Sequence, residues 1–137
     1  MATNAQYVFD IAMSLMDELD ETSGKADTED TREYRQRALL ILNALRGELF
    51  PISGSYKSAS AGKRPICPLI TDFKSQIALD DLICQSIMPY GLAAHLLIEE
   101  SPSAASFFQQ RYDELVRRYS RGVSGVSEDI TDLYGGI

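Results

Sequence analysis

Tryptophan is absent from the 137-residue chain, histidine occurs once, at His95, and cysteine twice, at Cys67 and Cys84. A zinc site draws on about four closely spaced Cys, His or acidic ligands, and two isolated cysteines without CxxC spacing do not supply it. The start, MATNAQYVFD, has neither a basic opening nor an apolar h-region, so no secretory signal is read there and no structural disulfide is expected. No apolar run approaches the roughly 18 residues that a membrane span requires. Nine glycines and five prolines are too few for a collagen-like or low-complexity chain.

What is present is the composition of a globular domain: 45% hydrophobic and 24% charged residues. The net charge of −7 is lodged in residues 1–30, where eight acids face one base, Lys25. Residues 31–137 are neutral. Such a chain repels phosphates over much of its surface, which disfavours general nucleic-acid binding. The acidic run Asp17–Asp30 lacks the ligand spacing of a calcium loop, because its Gly24 would put Leu19 at the first ligand position. Gly62-Lys63 fails as a phosphate loop, since Lys57 and Arg64 stand where the motif needs Gly and Ser/Thr.

Hydrophobic periodicity predicts an all-α chain of four main helices. The first covers 4–20, with Thr3 or Asn4 as cap and Val8, Ile11, Ala12, Leu15, Met16 and Leu19 as its stripe. A polar loop, Glu21–Thr28, leads to a second helix over 30–50, opened by the capping-box spacing of Asp30 and Glu33 and closed at Phe50-Pro51. Its stripe is Tyr34, Ala38, Ile41, Leu42, Leu45 and Leu49, with Arg32, Arg35, Gln36 and Arg46 facing elsewhere. Residues 51–78 follow no period and read as a long irregular loop, with a short extended piece at Ile66–Ile70.

The third helix, 80–100, is the most apolar; Asp80-Asp81 caps it and Pro89 bends it. Leu82, Ile83, Ile87, Tyr90, Ala94, Leu97 and Ile98 make its main face, while Met88, Leu92 and Leu96 recur at four-residue spacing off that face. Ser101-Pro102 starts a fourth helix that carries Phe108, Tyr112, Leu115 and Tyr119 to about Arg121, with Gly122 as its C-cap. The domain plan is therefore a helical body over 1–121, with the irregular loop 51–78 inside it, and an extended C-terminal tail over 122–137.

No catalytic group stands out. His95 has Glu99 four residues on but no adjacent nucleophile, so neither enzymatic activity nor a cofactor is expected. Glu99-Glu100 sits where a helix dipole disfavours acids, and no local rule explains it. The loop offers Tyr56, Lys57, Lys63 and Arg64 with no acid between 51 and 71, a basic surface for nucleic acid or for an acidic protein surface. A helix apolar on more than one side is either central in its domain or touches a neighbouring subunit; the third helix is expected to be the central, most buried one, with Met88, Leu92 and Leu96 as candidate assembly contacts on its second side. Ile130, Leu133 and Tyr134 are the apolar anchors of the tail.

The segments Asp80-Asp81-Leu82, Met88–Leu97 (MPYGLAAHLL) and Ala105–Leu115 (ASFFQQRYDEL) carry a resemblance. They resemble small proteins encoded in prophages of Gram-positive bacteria near the capsid and portal genes, which are similar to the head–tail connector, or head-completion, proteins of long-tailed phages. The resemblance covers residues 72–119, with a weaker echo in 7–50. It implies a structural protein that forms a ring at the portal, binding itself and the portal or neighbouring head–tail proteins. DNA would be passing cargo only, and no membrane is involved. The setting would be the bacterial host cytoplasm during assembly and then the virion. Loop and tail would become ordered on assembly. The alternative is a cytosolic helical adaptor or regulator that binds one protein partner.

Overall fold

The computed structural model describes residues 3–16, 31–54 and 66–124, the side chains of 121–124 excepted. The architecture is all-α: α1 (Ala5–Leu15), α2 (Arg32–Leu49), α3 (Met88–Leu97) and α4 (Pro102–Ser124). Among the described residues there are no strands, only an isolated antiparallel bridge between Asn4 and Gln76. The acidic stretch 17–30, and with it Asp30 of the expected capping box, lies outside the described residues.

Asn4 opens α1, its side-chain oxygen accepting the Tyr7 N–H at 2.9 Å. The next orphan donors of this helix start go elsewhere: Ala5 N–H to Ser75 O at 3.0 Å and Gln6 N–H to Phe73 O at 2.9 Å. The buried face is Ala5, Val8, Phe9, Ala12 and Met13, so the stripe is rotated toward Phe9 and Met13 relative to the expected one, and Ile11 and Leu15 sit at its margin. In α2 the buried set Tyr34, Ala38, Leu42, Leu45 and Leu49 follows the predicted period. Phe50 keeps helical angles (φ −55°, ψ −43°) in front of Pro51, against expectation. The chain tightens there into a 3₁₀ turn, Phe50–Ile52, in which Pro51 needs no donor. Ser53 closes it by giving both its N–H and its O–H to Phe50 O.

Pro89 acts through a π turn. Residues Ile83–Ile87 are wound as a π-helix, and the Met88 N–H bonds Ile83 O, five residues back. The wider turn lies immediately before Pro89, where an α ladder would lose a donor and set the ring against a carbonyl. From Met88 onward α3 is buried almost all round: Met88, Pro89, Gly91, Leu92, Ala93, Ala94, Leu96 and Leu97 are inside. It packs against α4, α1 and α2 and forms the axis of the domain.

The directions of the helices follow from their ties. Thr3 O–H donates to Asp81 at 3.0 Å and receives the Gln85 amide at 2.9 Å, while Met16 packs on the Ala93/Ala94/Leu97 cluster, so α1 runs alongside α3 in the same sense. Near the start of α2, Arg37 donates to Leu96 O at 3.2 Å, and Leu45, near its end, meets Gly91, so α2 runs opposite to α3. The Ser101–Pro102 restart holds: Ser101 N–H bonds Leu97 O and Ala105 N–H bonds Ser101 O, both at 2.9 Å, and α4 returns antiparallel to α3. α4 does not stop at Gly122 but continues to Ser124, because a glycine permits a left-handed cap without compelling one.

Candidate interaction surface

The structure moves the candidate assembly contacts. Met88, Leu92 and Leu96 are no more than 1% exposed and lie in the main core, so they are corrected from surface contacts to core residues. Leu82 and Ile98, expected on the core face, are exposed instead. Leu82 precedes the π turn and Ile98 follows the last residue of α3, so both lie at the ends of the buried stretch. Between them Ile83, Ile87, Ala94 and Leu97 of the expected face are buried together with Met88, Leu92 and Leu96, because α1, α2 and α4 enclose α3 on more than one side. Tyr56, Lys57, Lys63 and Arg64, together with Ile130, Leu133 and Tyr134, lie outside the described residues.

The expected irregular loop is, over residues 66–79, a strap built into the body, which corrects the expectation that all of 51–78 awaits assembly for its order. Asn43 holds it: its side-chain oxygen accepts the Ile70 N–H at 2.8 Å and its amide donates to Ile70 O at 2.9 Å. Arg46, expected to face elsewhere, orients Asn43 at 3.0 Å and donates to Cys67 O at 2.8 Å. Ile70, Ile77 and Leu79 enter the core. Between them Asp72 and Ser75 close a tight turn, with Lys74 N–H on Asp72 Oδ1 at 2.8 Å. Arg35 lies flat over this turn, 3.9 Å from the Phe73 ring centroid, with a terminal nitrogen on Gln6 Oε1 at 2.7 Å. The strap's Ile66 and Leu69 remain exposed.

A second apolar surface lies where α3 turns into α4. A groove of about 290 Å³ is lined by Ala94, His95 and Ile98 from the first arm and by Pro102, Ala105, Ser106, Gln109 and Gln110 from the second. None of these is an acid, lysine or arginine. Ile98 and Phe107 on this end are 61% and 62% exposed. His95 is exposed, and its Nδ1 lies 2.8 Å from Gly91 O. The histidine is thus bonded within its own helix.

Titratable groups are used as ties. Tyr34 O–H donates to Glu100 Oε1 at 2.5 Å, Tyr112 O–H to Glu48 Oε1 at 2.8 Å, and Tyr119 O–H to Asp80 Oδ2. The Asp80 carboxylate also receives the Gly54 N–H at 2.9 and 3.0 Å, so it joins the chain after α2 to α4 besides standing at the helix start where a cap was expected. Burial, and then the Glu48 bond, push the Tyr112 hydroxyl well above its ordinary range. Burial and the Asp80 bond push Tyr119 up to about 12. Burial, with Asp81 and Asp80 nearby, pushes the Cys84 thiol up to about 12, which leaves it a protonated core side chain at neutral pH. Among the described residues no group of three or more His, Cys, Asp or Glu side chains comes together as a metal ion would need. Among them too, no helix is long and apolar enough to cross a membrane.

Comparison of the chain with family models, with curated proteins and with solved structures gave no match in any of the three.

Proposed function

We propose that the chain is a structural protein of phage assembly, a head–tail connector subunit that binds further copies of itself and the portal or a neighbouring head–tail protein. The observation that supports this reading is a body whose helical stripes close on one another while large apolar side chains stay outside, Ile66 and Leu69 on the strap and Ile98 and Phe107 toward the α3–α4 end, besides Tyr7, Leu40 and Leu82 elsewhere. Large apolar side chains left outside a closed core are candidates for a protein contact. The two exposed sites sit on different elements, the strap and the α3–α4 end, which is what a head-to-tail ring contact requires: two unlike patches on each subunit. The resemblance over residues 72–119 supplies the biological setting.

The test is to mix the purified chain with portal rings of the same prophage and to follow mass by light scattering and shape by electron microscopy. A ring added to one face of the portal is the expected result. A chain that leaves the portal unchanged at all mixing ratios overturns the connector reading and leaves the single-partner adaptor.

A further inference from the structure

The molecule carries one apolar hollow and one apolar projection, on different elements. We propose that the strap of one copy docks in the α3–α4 groove of a second copy, with Ile66 and Leu69 as the inserted side chains. The inference deepens the connector reading and rests on it for the setting of the contact, since it names the two unlike patches by which subunits meet.

Three observations carry it. The first is shape. The groove is open and measures about 290 Å³, with Ala94, Ile98, Pro102 and Ala105 as its apolar wall. An apolar cavity of about 150 Å³ holds a benzene ring, so a groove of this size has room for two aliphatic side chains. Ile66 and Leu69 are 83% and 65% exposed. Among the described residues away from the groove, they are the pair of exposed large apolar side chains that shares one segment; Tyr7, Leu40 and Leu82 stand singly.

The second is charge. Residues 66–71 hold no charged side chain, and the lining of the groove holds no acid, lysine or arginine. Insertion of the strap therefore strips water from no ion, a cost that a charged surface brought to the same groove would meet. The outer face of α4 is such a surface, with Asp113, Arg117 and Arg118 exposed on it.

The third is placement. The strap is pinned away from the groove of its own chain. Asn43 grips Ile70 by two bonds, at 2.8 and 2.9 Å, and Arg46 holds Cys67 O at 2.8 Å. Arg37, by contrast, reaches Leu96 O beside the groove. Nine residues of α2, about 13 Å along the helix, separate Arg37 from Arg46. A groove and a strap fixed apart on one chain meet only between chains. Such a contact is head-to-tail and leaves one patch free at each end for the next copy.

Light scattering and sedimentation of the full chain, from micromolar to millimolar concentration, test the contact with one variant on each patch. Leu69→Asp and Ile98→Asp both change exposed side chains; Ile66→Asp and Ser106→Trp replace either of them if its thermal melt is early. The wild type should gain mass steadily with concentration, and each variant alone should stay a monomer. Mixed in equal amounts, the two should give a species of two chains and nothing larger, because the intact groove of Leu69→Asp receives the intact strap of Ile98→Asp. A wild type that stays monomeric throughout overturns the proposal, as does a folded variant that associates like the wild type or a mixture that remains monomeric. Portal rings separate this inference from the connector reading. Rings that add the variants as readily as the wild type refute this contact alone. A chain that pairs strap to groove yet leaves the portal unchanged refutes the connector reading alone.

Discussion

Replacing Gly91 by alanine sets two effects of opposite sign against each other. Gly91 lies inside α3, where alanine is favoured by about 1 kcal/mol on helix propensity alone. A Cβ there would stand 2.8 and 2.9 Å from two Tyr112 ring carbons and 3.0 Å from a Leu45 methyl. Leu45 is at the core and the Tyr112 ring is buried, with its hydroxyl anchored on Glu48 at 2.8 Å, so the ring has little freedom to retreat. Overpacking of this kind costs about 1–3 kcal/mol, and a ring that moves also strains a hydrogen bond to a charged group, worth about 1.5–3 kcal/mol. Gly91→Ala should therefore destabilise by about 1–3 kcal/mol net, lowering Tm by roughly 3–10 °C for a chain of this size. Gly47→Ala is the control: it sits in α2 with nothing within 4 Å of the added carbon, and should stabilise by about 0.5–1 kcal/mol. Thermal and urea melts of both variants decide the matter. Tyr112→Phe in the Gly91→Ala background should recover part of the loss, since a ring freed from Glu48 can shift. A Gly91→Ala chain as stable as the wild type would refute the close approach of α3 and α4.

Three further outcomes are expected. Tyr119 and Cys84 hold their protons to about 12 when folded, against 10.0 and 9.0 without the fold, so the stability they contribute is whole below about pH 9 and is lost as pH rises toward 12; urea melts across that range should show falling stability, and Tyr119→Phe should flatten the decline. Asn43→Leu leaves the Ile70 N–H and C=O without their partner, which should cost about 1–3 kcal/mol per buried group and speed amide exchange at Ile70 before that of α3. Leu92→Ala should cost about 2–5 kcal/mol as a core truncation, whereas Phe107→Ser should leave Tm within a few degrees and weaken whatever association the chain shows; equal melting of the two variants would mean that α3 has been assigned the wrong face.

Periodicity located the helices because each buries a stripe, and in α2 every expected stripe residue but Ile41, which is half-buried, is inside. It failed where geometry departs from a constant period. The π turn ahead of Pro89 is announced only by the proline; nothing in the sequence says that the strain is absorbed by an added residue rather than by a bend. Two-sided apolarity fits a central helix as well as a subunit contact, and the enclosure of α3 by α1, α2 and α4 is what puts Met88, Leu92 and Leu96 in the core. The strap was illegible for another reason. Ser, Gly and Pro break every pattern in 51–78, yet residues 66–79 are held by the polar side chains of Asn43 and Arg46, whose partners are backbone atoms about 20–30 residues away. No local rule pairs them. Ile98, a large apolar residue beside the polar turn before Ser101, could have been suspected, but a linear pattern does not distinguish a rim residue such as Phe107 from its buried neighbour Phe108.

Glu100 shows how a locally unfavourable residue is explained by a tertiary one. Its charge follows the C-terminal end of α3, where the helix dipole opposes it by about 0.3–1 kcal/mol. The Tyr34 hydroxyl, brought from the start of α2, donates to that carboxylate, and a hydrogen bond to a charged acceptor contributes about 1.5–3 kcal/mol, enough to reverse the sign. The same device recurs toward the other end of the bundle, where Tyr119 and the Gly54 N–H meet on Asp80 and Tyr112 meets Glu48. Apolar stripes alone would let α2 and α4 slide along α3 by a turn at little cost in burial. A tyrosine–carboxylate tie tolerates no such slip, because a one-turn shift of about 5.4 Å leaves both partners unpaired. These ties therefore fix the register of the helices. They also account for the placement of acids at 80 and 100, the latter of which no local rule explains.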